Sequence, residues 1–206
     1  MLRTFFQNAG NPGVNRGGEL MLWMMNYTHQ KILRWSRKFY GIPEGASVLD
    51  IGCGNGRNID NMRRIAPSAK FYGVDRSPLC VRKSQELNRT AIREGRVLIL
   101  NGSVEKLPFS PHSFDLATAS NTIYFWPNLP DNFREVYRVL KPSGVFLICN
   151  GTSEPEQAEK WLRLVDGMRA YSRDQLSEYL STAGFSGLEF HLHENRQWLC
   201  VTGIKK

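Results

Sequence analysis

Two hydrophobic rhythms alternate along this chain. Short, nearly continuous apolar runs bounded by glycine, proline or polar clusters predict buried strands at 47–51, 70–74, 97–100, 114–119 and 144–150. Between and after them, apolar residues recur at helical spacing over 57–65, 78–92, 129–140, 156–168 and 172–183. Ser172 with Gln175 makes a capping box, and Gly184 is a natural stop for that last helix. The alternation implies a parallel sheet wrapped by helices. The C-terminal stretches 187–193 and 197–204 break the pattern and read as two strands joined by the polar turn 194–196, a terminal hairpin. Ahead of the first strand, residues 20–42 carry apolar side chains at helical spacing, with Lys31, Arg34, Arg37 and Lys38 on the polar side.

The sharpest local signal is VLDIGCGNGRN at 48–58: an apolar run, an acid, three glycines at alternate positions and an amphipathic stretch. It reads as a strand, a tight turn and a helix start, the place where an open α/β sheet holds a nucleotide-like ligand. A glycine turn alone marks an ordinary loop more often than a ligand site. Asp75 changes that balance, because it closes the next apolar run about 25 residues after Asp50, near the spacing at which an acid reaches ribose hydroxyls.

Length and composition fit one domain: 206 residues, 41% hydrophobic, with no internal break in composition. The apolar run 20–25 is too short to cross a bilayer and no cleavage pattern precedes it, so a soluble cytoplasmic protein is expected. Cys53, Cys80, Cys149 and Cys200 are scattered, and His112, His191 and His193 form no ligand spacing, so neither a disulfide framework nor a metal site is expected. The formal charge of +8 raises the question of a nucleic-acid partner. The charges are dispersed, with no basic run interleaved with stacking aromatics, so no specific nucleic acid is expected.

Six blocks in order, VLDIGCGNGRN (48–58), FYGVDRSP (71–78), NGSVEKLPF (101–109), SFDLATASNTIYFWPN (113–128), REVYRVLKPSGVFLI (134–148) and YSRDQLSEYLSTAGF (171–185), resemble the class I S-adenosylmethionine-dependent methyltransferases. The resemblance is to the small-molecule branch related to ubiquinone and menaquinone methyltransferases. It implies a Rossmann-like seven-stranded sheet, mostly parallel with an antiparallel C-terminal hairpin strand and helices on both faces. Residues 1–46 would form a helical cap and 47–206 the core. It further implies S-adenosylmethionine as methyl donor and a small-molecule acceptor attacked by in-line displacement. A NAD-dependent oxidoreductase on a related fold and a non-catalytic or RNA-associated protein that keeps the fold remain as rivals.

The resemblance assigns roles residue by residue. Asp50 would order the glycine turn or the donor's amino group, and the backbone at Gly52, Cys53, Gly54 and Gly56 would pass beside its methionine portion. Asp75 would accept from the ribose hydroxyls, with Arg76 and Ser77 flanking the adenine. The family carries an acid where this chain has Ser103, so Ser103, Val104 or Glu105 is expected to replace that contact. Asn121 and Thr122 fall at the carboxyl edge of a strand, where ligands lie, and are expected among the cofactor-binding residues. The stretch Asn121-Thr122-Ile123-Tyr124 lacks the paired prolines of nucleic-acid amino-methyltransferases, which argues against base methylation. Tyr124, Tyr27 and His29 are candidates for acceptor contact, His29 as a base. Phe125, Trp126, Trp161 and Met168 suit packing better than chemistry.

Overall fold

The computed structural model describes Gly10, Gly13, residues 16–152 and residues 154–206. The side chains of Arg16 and of residues 22–28 lie outside that description. The chain forms α1 (Arg16–Ser36), β1 (Ser47–Ile51), α2 (Arg57–Ile65), β2 (Lys70–Asp75), α3 (Pro78–Arg93), β3 (Val97–Asn101), β4 (Phe114–Ser120), α4 (Leu129–Val139), β5 (Leu140–Asn150), α5 (Pro155–Leu164), α6 (Arg173–Thr182), β6 (Phe185–Leu192) and β7 (Leu199–Lys205). Short 3-10 turns occupy Arg37–Phe39 and Ile123–Phe125.

The seven strands make one sheet in the order β3-β2-β1-β4-β5-β7-β6. Neighbours from β3 to β5 run parallel, whereas β7 lies antiparallel between β5 and β6. This is the expected Rossmann-like sheet, with the last strand inserted inside the edge rather than added to it.

Strand alternation sends successive side chains to opposite faces, and each face has its own core. Leu49, Ala117, Phe146 and Val201 pack with Phe133 and Val136 of α4 and Leu176 and Leu180 of α6. Val48, Leu116, Leu147 and Cys200 pack with Ile59 and Met62 of α2, Val81 and Ala91 of α3, and Ile32 of α1. Ser77 caps α3 by accepting from the Cys80 amide at 3.3 Å, and Ser172 with Gln175 forms the expected capping box on α6.

The differences from the sequence pattern lie at element ends. β5 starts at Leu140 rather than 144, pairing its first residue with Phe114 ahead of a register shift. α5 stops at Leu164 rather than 168, because Val165 turns extended and Gly167 takes φ +73°. The hairpin strands begin and end a residue or two away from expectation, since Asn195 accepts from the amides of Gln197 and Trp198 and draws both into the turn.

Candidate functional site

An open cavity of about 1120 Å³, its mouth included, lies at the carboxyl ends of β1, β2 and β4. The turn after β1 builds its floor. Gly52 takes φ +73°, and a Cβ there would sit 2.2 Å from Thr122 Oγ1, so only glycine lets the turn close against the segment after β4. The amides of Gly52 and Cys53 both donate to the Val74 carbonyl, at 2.7 and 3.2 Å, and tie the turn to the end of β2.

Asp75 ends β2 beside that turn. One carboxylate oxygen accepts from the Gly54 amide at 2.9 Å and the other from the Ser77 amide at 2.9 Å. These bonds fix the carboxylate while leaving each oxygen acceptor capacity toward the cavity that Asp75 lines. Burial raises its pKa despite the two amides and the nearby Arg76 guanidinium.

Asp50 is more deeply held, at 3% exposure. Its Oδ1 accepts from Thr118 Oγ1 at 2.6 Å and from Asn58 Nδ2 at 3.1 Å. Burial pushes its pKa up to about 6 against those two bonds, and the charge of Asp75 adds to the rise. No cation pairs with it among the described residues, so a buried carboxylate faces the cavity uncompensated.

The opposite wall comes from α1 and from the segment after β4. His29, Leu33, Asn121, Phe125, Trp126 and Pro127 all line it. Burial pushes the His29 pKa down to about 4, so its imidazole is neutral at physiological pH. Gly10 closes part of the mouth: Arg76 donates to its carbonyl at 3.1 and 2.6 Å, and a Cβ on Gly10 would meet the Phe125 ring at 2.6 Å.

A family model described as a methyltransferase domain matches residues 49–148 of this chain. Over 184 residues the chain is 22% identical to the uncharacterised methyltransferase YdaC of Bacillus subtilis, covering 89% of this chain and 96% of that protein. It is 32% identical over 128 residues to demethylmenaquinone methyltransferase of Listeria welshimeri, covering 62% of this chain and 53% of that protein. The fold superposes with TM-score 0.82 at 19% identity on a Haloferax volcanii methyltransferase solved in complex with the Trm112 methyltransferase activator, over 89% of this chain and 92% of that one. S-adenosylmethionine-dependent methyltransferases are among the other solved structures with this fold. Residues 49–148 belong to the methyltransferase domain family.

The match to demethylmenaquinone methyltransferase takes in about half of that relative's length. The residues lining the cavity fit S-adenosylmethionine as a methyl donor. A diol has an oriented carboxylate in Asp75, an ammonium has an unpaired one in Asp50, and the glycine turn leaves room beside both.

Eleven of the residues given a binding or catalytic role from sequence line the cavity: His29, Asp50, Gly52, Cys53, Gly54, Asp75, Arg76, Ser103, Val104, Asn121 and Thr122. Others do not. Gly56 is glycine because a Cβ would lie 2.2 Å from Ser84 Oγ on α3, a packing constraint rather than a ligand one. The Ser77 side chain is spent on capping α3, and Glu105 is an exposed carboxylate accepting from Ser103 Oγ at 3.0 Å.

Tyr124 is 6% exposed and does not line the cavity. Its hydroxyl accepts from the Thr152 amide at 3.0 Å and lies 3.4 Å from the Thr152 carbonyl, so it holds the loop after β5 against the 3-10 turn. The Cys53 thiol faces Ser84 at 4.0 Å, and burial drives its pKa well up, which suits packing and not nucleophilic attack. The Tyr27 side chain lies outside the described residues.

Asn58 and Thr118 escaped the sequence reading although they hold Asp50. The available signal was a polar residue at a position where the pattern calls for an apolar one: Thr118 sits mid-strand and is fully buried.

Proposed function

We propose that this methyltransferase transfers the methyl group of S-adenosylmethionine to a small-molecule acceptor, with Asp50, Asp75, the turn at Gly52 to Gly54, Ser103 and Val104 holding the donor. The observation that carries the reading is the pair of carboxylates, one uncompensated and one oriented by two amides, on a single open cavity. When bound, the donor supplies an electrophilic methyl on a sulfonium whose departure needs neither metal nor proton.

The protein's work is positional. Asp75 fixes the ribose end and Asp50 the amino end, so the reacting carbon has one place to sit. The wall of His29, Leu33, Phe125 and Trp126 excludes water and confines the acceptor near attack distance, an effect that reaches several kcal/mol. In this reading residues 1–46 act as the cap, which is where His29 and Leu33 originate. A small-molecule acceptor is favoured by the absence of paired prolines after Asn121, by the dispersed positive charge, and by likeness to a relative named for demethylmenaquinone. The four free, buried thiols suit the reducing cytoplasm, and among the described residues no helix is long and apolar enough to cross a membrane.

Thermal unfolding with S-adenosylhomocysteine, with NAD and with no ligand tests the donor assignment. A ligand at 100 times its dissociation constant adds about 2.7 kcal/mol, roughly 5 to 10 °C for a chain of this size. A shift with S-adenosylhomocysteine alone is expected, and a shift with NAD alone overturns the proposal.

A further inference from the structure

The mouth of the cavity is crossed by a contact between parts of the chain far apart in sequence. Arg76 follows the end of β2 and Phe125 comes shortly after the end of β4, and in the sheet β1 with its glycine turn lies between those two strands. Gly10 meets both. Its carbonyl accepts from Arg76 Nε at 3.1 Å and from Arg76 Nη2 at 2.6 Å, and a Cβ on Gly10 would lie 2.6 Å from Phe125 Cδ1. A group held from both sides in this way lies across the carboxyl end of β1, over the floor assigned above to the donor.

Each end of this bridge is built for its place. Asn101 Nδ2 donates to the carbonyls of Asp75 at 3.0 Å and Arg76 at 3.1 Å, which fixes the backbone from which the arginine reaches out. A guanidinium carries its N–H groups in one rigid plane, so Nε and Nη2 close together on a single carbonyl oxygen. At the other end the missing Cβ of Gly10 lets main chain lie against the Phe125 ring.

The bridge is open to water and spans the cavity without filling it. Arg76 is exposed, so water competes for both of its hydrogen bonds and the contact can open. With the bridge made, the cavity still holds about 1120 Å³, its mouth included, and Gly10, Arg76 and Phe125 stand on its lining together with Asp75 and Gly54. A donor on the floor and a bridge above it are therefore compatible.

We propose that Arg76 is a latch that holds the chain ahead of α1, at Gly10, across the donor's cavity, and that the donor enters and leaves when this hold opens. The proposal rests on the methyltransferase reading above. It makes Arg76 a positioning residue whose effect falls on the rates of exchange. A bridge made both with and without the donor slows entry and exit by the same factor, so loosening it raises both rate constants and leaves their ratio in place. A guanidinium that flanked the adenine would act differently, since its loss would speed dissociation alone and weaken affinity by the same factor.

Calorimetry with S-adenosylhomocysteine on the full chain comes first, and failure to bind sinks the methyltransferase reading itself. Stopped-flow mixing with the same ligand, followed through tryptophan fluorescence with Trp126 on the cavity wall, then separates the latch from a direct contact. Arg76→Ala is expected to raise the association and dissociation rate constants each by about 3- to 10-fold, the range of one net hydrogen bond, with the dissociation constant within about 2-fold of the parent. Gly10→Ala leaves the guanidinium and its charge in place and forces the bridge off the Phe125 ring, so the same paired rise is expected. Parent rates in either variant, or faster dissociation with unchanged association, overturn the proposal.

Discussion

Asp50 carries a charge that folding alone would discard. Its pKa is raised to about 6 by burial, so the folded state favours the protonated form; the stabilisation this gives at low pH is lost as pH rises through about 6. Above that pH the ligand-free chain holds a desolvated carboxylate at a cost of up to about 3 kcal/mol. Asp50→Asn keeps an oxygen for Thr118 and Asn58 and removes the charge. It is expected to raise the ligand-free melting temperature at pH 7.5 by up to roughly 12 °C while weakening S-adenosylhomocysteine at least about 10-fold. A variant that melts no higher than the parent refutes the cost, and one that binds as well refutes the role. For the unaltered chain, affinity for S-adenosylhomocysteine is expected to fall as pH drops below about 6, where the carboxylate takes up its proton. A dissociation constant flat from about pH 5 to 8 would detach Asp50 from binding. Asp75→Ala is expected to weaken the same ligand at least about 10-fold, read by calorimetry, because a carboxylate oriented by two amides is lost.

At the scale of elements, the apolar runs announced both acids, since Asp50 sits next to the end of the first buried strand and Asp75 closes the second. What periodicity does not encode is the direction of a side chain at a turn. Gly52 and Gly56 look equivalent in the motif, yet one closes the turn against Thr122 on the cavity and the other lets α2 meet α3. Tyr124 was legible as an aromatic near the site and not as a peg for the loop after β5, because its partner is a backbone group 28 residues away. The two glycines make a paired test. Gly56→Ala puts a Cβ 2.2 Å from Ser84 Oγ at φ +77°, so it is expected to destabilise the fold by about 2 kcal/mol or more, read by denaturant titration. The same Cβ would lie 2.6 Å from Asn88 Nδ2, so Ser84→Gly in the same chain should relieve only part of the clash and leave the backbone strain of about 1 to 2 kcal/mol. If Gly56→Ala is as stable as the parent, the contact with α3 is not what requires glycine.

The whole molecule places its chemistry at one end of the sheet and its closure at the other. β7 pairs with β5 through residues 145–150 and with β6 beyond, so the last strand in sequence completes both cores. Lys205 ends that strand at 5% exposure. Its ammonium donates to the carbonyls of Tyr137 at 2.6 Å and Leu140 at 2.8 Å, where α4 gives way to β5, and lies 4.6 Å from the Tyr137 ring centroid. Carbonyls in the last turn of a helix have no intrahelical donor, so the buried cation supplies one to Tyr137 and bonds the first carbonyl of β5 as well. None of these residues touches the cavity. Lys205→Met retains the aliphatic stem and leaves those carbonyls unsatisfied, at an expected cost of about 2 to 3 kcal/mol, or roughly 4 to 12 °C in melting temperature. The increment added by saturating S-adenosylhomocysteine should be unchanged, because the anchor and the cavity occupy opposite ends of the strands. A variant that melts like the parent denies the anchor its role; one that also loses the ligand increment shows the two ends to be coupled through the sheet.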